Sequence, residues 1–172
     1  MHARSKRAIC EVFLLIVLYF DVCERVSVDT RSGWVSESQP PHSLIKGGFD
    51  MKKIETASAP SAIGPYSQAY LSNNTLFISG QLGVVPQTGE LPSSVEEQAD
   101  QACRNVGAIL SAACLSFDHV VKTTCFLADI SDFAAFNEVY AKYFVSKPAR
   151  SCVAVKDLPK GALCEIETIA EV

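Results

Sequence analysis

The chain has 172 residues, 48% of them hydrophobic and 20% charged, which suits one folded domain with a sizeable core better than two. Its net charge of −4 comes from mixed signs without long like-charge runs, so the basic footprint of a nucleic-acid binder is missing. Of the seven cysteines, Cys103, Cys114, Cys125, Cys152 and Cys164 lie beyond residue 50 without any CxxC pair; their odd number and wide spacing fit reduced, buried thiols in a reducing compartment better than a disulfide framework, and a zinc site would want closer pairs.

Residues 1–50 differ in kind from the rest. Arg4, Lys6 and Arg7 precede an apolar run from Val12 to Phe20, so residues 4–20 look like the charged start and hydrophobic middle of a secretory signal. A membrane-spanning helix needs ~20 apolar residues, so no stable span is expected from this run. Asp21 to Asp50 carries Ser, Gly, the pair Pro40 and Pro41 and no periodicity, and reads as linker. Met51, Lys52 and Lys53 have the look of a chain start leading into a strand. The expectation is a leader or non-native extension over 1–50 and a working domain over 51–172. That domain is expected in the cytoplasm, with export or organellar delivery as the alternative if the leader is a true signal.

Met51 to Ala57 forms a first predicted strand, broken by Pro60, Gly64 and Pro65. Gln68 to Leu71 and Thr75 to Ser79 make a hairpin about the turn Ser72 to Asn74, the second strand ending at Gly80. Val84 to Pro92, with two prolines and Gly89, is a connecting loop. Ser94 and Glu97 form a capping box, and Val95, Ala99, Ala102, Val106, Ile109 and Ala113 then recur at helical spacing. Asp118 to Asp129, rich in β-branched residues, is a strand. Ser131 or Asp132 caps a second helix whose stripe Phe133, Phe136, Asn137, Tyr140 and Phe144 packs on the sheet. Pro148 closes that region, Arg150 to Val155 is a strand, Pro159 to Gly161 a turn, and Leu163 to Ala170 the last strand. This order predicts an α+β fold, a mixed six-stranded sheet with two helices on one face. An apolar bare face would call for a partner chain.

Arg150 shares a strand face with Cys152 and Ala154. A guanidinium at a strand start among small residues suits a bidentate grip on a carboxylate or phosphate, although a lone arginine is more often an ordinary salt-bridge partner. Glu165 and Glu167 share a face of the last strand, with Cys164, Ile166 and Ala170 on the other. Two such carboxylates suit general-base or water-orienting work if one is sheltered; spacing alone favours a solvated pair on an edge strand. Cys152 reads as a buried thiol rather than a nucleophile, since no pattern ties it to His119, the one histidine beyond residue 50. Tyr66, after Gly64 and Pro65, sits in a loop where a phenol can reach a ligand. GxxxxGK[ST], GxSxG, HExxH and GxGxxG are all absent.

Taken together, Ala62–Gln68, Ser79–Gln81, Val121–Thr124, Pro148–Ser151 and Glu165–Glu167 resemble the RidA family of reactive-intermediate (enamine/imine) deaminases, in order and across Met51 to Val172. The resemblance implies a chorismate-mutase-like homotrimer with ligand clefts at subunit interfaces. It implies cofactor-free and metal-free hydrolysis of 2-iminopropanoate and 2-iminobutanoate, formed from 2-aminoacrylate and related enamines, to 2-oxo acids and ammonia. Arg150 would hold the substrate carboxylate and Glu165 would orient the attacking water. Tyr66, Ser79, Gly80 and Asn137 would line the cleft, with the backbone around Cys152 near the substrate nitrogen. Two departures stand out: only Val145, Ser146 and Lys147 separate Phe144 from Pro148, and Cys164 stands where an aliphatic residue is usual. The alternatives are a carboxylate-binding protein without turnover and a ribonuclease or translation inhibitor, the latter disfavoured by the acidic balance.

Overall fold

A computed structural model describes residues 51–172. The leader, signal-like segment and linker read over 1–50 lie outside the described residues. Six strands and two long helices follow one another as β1 Met51–Ile54, β2 Ala69–Ser72, β3 Thr75–Leu82, α1 Val95–Ala112, β4 Val120–Leu127, α2 Phe133–Tyr143, β5 Ala149–Ala154 and β6 Cys164–Glu171. The strands form one sheet in the order β1-β2-β3-β6-β4-β5. Every pairing is antiparallel except β4 with β5. This is the expected mixed α+β sheet, with α1 against β3 and β6 and also packed on α2.

Helix α1 starts where the capping box places it. Ser94 Oγ accepts the Glu97 N–H at 3.2 Å and Glu97 Oε2 accepts the Ser94 N–H at 3.4 Å, which satisfies two donors that the first turn leaves unpaired. Its apolar stripe buries Ala99, Ala102, Val106 and Ile109 against Leu76, Ile78, Ile166 and Ala170 of the sheet core. At Gly83, a Cβ would meet the Gln98 backbone at 2.5 Å, so glycine there lets the helix sit directly on the chain leaving β3. In α2 and at its C-cap, Phe136, Tyr140 and Phe144 are buried as expected, whereas Phe133 is exposed at the first turn. Its capping oxygen also differs: Asp129 accepts the Ser131 N–H at 2.8 Å, starting a short turn over Ile130–Asp132 that leads into α2. The Asp132 side chain caps nothing.

Two strand limits depart from expectation for physical reasons. β1 stops at Ile54 because the buried Gln68 side chain takes over the role of a strand partner: Oε1 accepts the Thr56 N–H at 2.8 Å, and Nε2 reaches the carbonyls of Thr56, Ala59 and Pro60. β3 runs past Gly80 to Leu82 through a bulge, since Ile78 pairs with Thr168 but Gln81 pairs with Ile166. β6, expected at an edge if Glu165 and Glu167 were simply solvated, instead lies in the middle of the sheet.

The face away from the helices carries an apolar row. Tyr70, Phe77 and Ile169 are linked in register across β2, β3 and β6, and Phe126 faces both Val153 and Glu165. Tyr70, Phe77 and Val153 on this face are 42%, 47% and 47% exposed, the bare apolar face that calls for a cover. Among the described residues no helix is long and apolar enough to cross a membrane. Replacing Gln68 by Leu keeps the volume and orphans the backbone groups it serves. The expected cost is about 1–3 kcal/mol in urea unfolding, with the Tyr66 loop rearranged; an unchanged midpoint would show that the loop holds itself.

Candidate active site

Arg150 leaves β5 on the helix-covered side, in register with Thr123, and its guanidinium rests on an aromatic floor. Its carbon lies 4.6 Å from the centre of the Tyr140 ring and 5.7 Å from that of Phe133. Nη1 donates to Asn137 Oδ1 at 2.8 Å. Among the described residues the ion pairs are Lys53 with Glu55 and Arg104 with Asp100, so no described carboxylate neutralises Arg150. The ordinary salt-bridge reading therefore fails among these residues. A cleft lined by Asn137, Tyr140, Lys147, Pro148 and Arg150 opens beside it, with two cationic side chains and no acidic one. The rest of the guanidinium fork is available to a planar anion.

Glu165 stands on the opposite face of the sheet, in register with Phe126 on β4 and Leu82 on β3. Its carboxyl lies across Gly80: a Cβ built there would come within 1.8 Å of Glu165 Oε1. Glycine at that place in the bulge is what gives the carboxyl its room. Burial, and next the charge of Glu167, hold the Glu165 carboxyl above its ordinary range. Gly80 and Tyr66 share the wall of a small cavity with Ile63, Leu82 and Lys160. Tyr66 itself is half-exposed, its hydroxyl accepting the Ile63 N–H at 3.4 Å. The Ser79 hydroxyl donates to Ser67 O at 2.7 Å, so it ties the Tyr66 loop to β3.

The residues picked out in sequence thus fall into two groups on opposite faces of the sheet. Arg150, Asn137 and Cys152 belong to the helix-covered side at β5; Glu165, Gly80, Ser79 and Tyr66 belong to β6, β3 and the loop before β2. The half-buried Cys152 thiol is pushed up by burial, more than the Arg150 charge lowers it, and is no activated nucleophile. Burial also drives the Cys125 and Cys164 thiols up to about 12. Cys103, Cys125 and Cys164 are buried as expected, whereas Cys114 is exposed. No group of three His, Cys, Asp or Glu among the described residues is arranged to hold a metal ion. The sequence reading passed over Tyr140 as a core residue; its place three positions after Asn137 on one helix face was the available sign.

A family model described as Endoribonuclease L-PSP matches residues 56–172. The chain belongs to that family, the RidA family. Among family members, a 2-iminobutanoate/2-iminopropanoate deaminase from Capra hircus is 56% identical over 119 residues, covering 68% of this chain and 87% of the relative. Reactive Intermediate Deaminase A, chloroplastic, from Arabidopsis thaliana is 49% identical over 139 residues, covering 78% of this chain and 74% of the relative. Among solved RidA-type structures, E. coli TdcF with bound serine matches with a TM-score of 0.69 at 48% identity, covering 70% of this chain and 98% of that one.

Because the folded Glu165 binds its proton more tightly than the unfolded chain does, folding stability falls as pH rises from the ordinary carboxylate range through the raised one. The penalty is complete above that window. Glu165→Gln has no such proton, so its stability relative to wild type is expected to climb with pH across the same interval. Urea midpoints at a series of pH values measure this, and a pH-independent difference would contradict the sheltered carboxyl.

Proposed function

We propose that the protein hydrolyses reactive 2-imino acids such as 2-iminopropanoate and 2-iminobutanoate to 2-oxo acids and ammonia. The observation that carries this is Arg150, a cation clamped by Asn137 and Tyr140 with no described carboxylate on it, as a substrate-carboxylate anchor requires. Supporting it, curated relatives more than half identical, and spanned over most of their length, bear that activity in their names.

The chemistry asks little beyond positioning. With the substrate carboxylate on Arg150, the electrophilic carbon of its iminium form is presented to a water. Glu165 orients that water and takes its proton as the oxygen bonds to carbon. The proton then returns to nitrogen, the carbon–nitrogen bond breaks, and the carbonyl forms. Iminium and water go in; 2-oxo acid and ammonium come out. A carboxyl whose proton affinity is already raised is suited to both taking and returning a proton. No cofactor enters this sequence.

Arg150 and Glu165 emerge on opposite faces of one sheet, so one protomer does not bring them to the same substrate. In our reading the chain is a homotrimer of the chorismate-mutase-like type, joined through the bare sheet face that carries Phe77 and Val153. Each cleft takes Arg150, Asn137 and Cys152 from one protomer and Tyr66, Ser79, Gly80 and Glu165 from its neighbour. We place the activity in the cytoplasm, where buried thiols stay reduced. Removing 2-aminoacrylate-derived imines would protect the enzymes that release them. A ribonuclease role is not adopted: the net charge is −4, and His119 Nδ1 is engaged by Ser116 of its own turn.

The test is ammonia release from 2-iminobutanoate generated enzymatically in the assay. Arg150→Ala is expected to lose about 100-fold in kcat/KM, mainly through KM, as two charge-assisted hydrogen bonds at about 1.5 kcal/mol each would give. Glu165→Gln is expected to lose about 100-fold in kcat while keeping affinity for the product. Wild-type protein that binds the product without accelerating ammonia release would be a carboxylate binder. Mixing unfolded Arg150→Ala and Glu165→Gln chains and refolding them together should restore about a quarter of the sites, since each shared cleft draws its two halves independently. A mixture as inactive as its parents would confine the site to one protomer.

A further inference from the structure

The geometry points to Tyr140 as a positioning residue for the carboxylate anchor: its ring face, held in a column of aromatics, sets the plane of the Arg150 guanidinium. This rests on reading the Arg150 cleft as a carboxylate site. Tyr140 is 7% exposed and projects from α2 toward β4, where its hydroxyl and Thr123 Oγ1 are 2.7 Å apart. Thr123 is fully buried and is the β4 residue in register with Arg150 on β5. The tyrosine therefore joins three elements at the level of the anchor. Phe144 stacks on the same ring at 4.2 Å and 15°, and Phe117 meets Phe144 edge-on at 5.0 Å. The ring is wedged in a column of aromatics, with the guanidinium 4.6 Å from its centre.

Two contacts of different kinds then define the anchor. Asn137 holds one nitrogen by a directional hydrogen bond, while the Tyr140 face restrains the plane as a whole through cation–π attraction. Burial pushes the phenol up to about 12, so it stands neutral beside the cation and acts through its face rather than as a charge. A guanidinium fixed this way loses less freedom when it grips a planar carboxylate, which favours binding rather than the bond-breaking step.

The test compares Tyr140→Phe, which keeps the face and drops the Thr123 contact, with Tyr140→Leu, which drops both. Affinity for 2-oxobutanoate, measured by calorimetry, is expected to fall about tenfold or more in Tyr140→Leu and less than about threefold in Tyr140→Phe. In the imine assay the same variants should shift KM by those factors, with kcat changed far less. Folded Tyr140→Leu with wild-type affinity would overturn the proposal. So would a Tyr140→Phe loss as large as that of Tyr140→Leu, which would assign the effect to the hydroxyl. Should Tyr140→Leu fail to fold, the Arg150 Nε–H resonance of the wild-type protein decides. An upfield ring-current displacement retained in Tyr140→Phe and Thr123→Val supports the stack, and its absence from wild type refutes it. The product-binding and NMR arms do not depend on turnover, so a protein lacking deaminase activity would still answer the question about Tyr140.

Discussion

The structure turns on a carboxyl group laid across a stretch of backbone that has no side chain. Glu165 is in the interior of the sheet, on a strand flanked on both sides, and its carboxyl lies against Gly80 where the neighbouring strand bulges. With 1.8 Å between Oε1 and where a Cβ would be, any other residue at position 80 forces the carboxyl elsewhere. The bulge and the glycine together convert what would be a solvated surface acid into a sheltered one. They also bring the Tyr66 loop into place, because the Ser79 backbone N–H and hydroxyl donate to the carbonyls of Gln68 and Ser67.

Strand alternation then separates the proposed anchor from the proposed acid. On β6 the residues Cys164, Ile166, Thr168 and Ala170 face the helices, so Glu165 must face away from them. Thr123 and Cys125 transmit that parity to β5, where Arg150 and Cys152 take the helix-covered side. Anchor and acid are thus held apart by a rule of period two that no loop movement within the protomer reverses. In the proposed trimer, the exposed apolar residues on the acid's face would let a second chain approach it.

Much of the fold was legible because it follows from local chemistry. The capping box at Ser94, the helical stripe from Val95 to Ala113 and the alternation from Cys164 onward all depend on residues a few positions apart. Strand order does not: nothing in Glu165 or Glu167 says whether β6 is an edge or a centre, so favouring an edge was reasonable and wrong. Gly80 reads as a strand terminator until the residue that needs its empty space is known. Asp129 was missed as a cap because a short extra turn separates it from α2. Tyr66, Arg150 and Glu165 stood out as residues, but their joint meaning came from a resemblance spread over several motifs. Tyr140, hidden in an ordinary aromatic stripe, declares itself only when β5 folds back over α2.

The position of β6 has a consequence for how the molecule comes into being. Strands β1 to β3 form one antiparallel group, β4 and β5 another, and the two groups are hydrogen-bonded to each other only through Cys164–Glu171. A ribosome delivers that strand after all the others. Until it arrives, the nascent chain has two unzipped sheet edges and a half-open core, and closure must wait for contacts between residues about ninety positions apart. Such long-range pairing slows the final step of folding. The acid at the centre of the proposed chemistry thus enters the structure on the same strand that seals it.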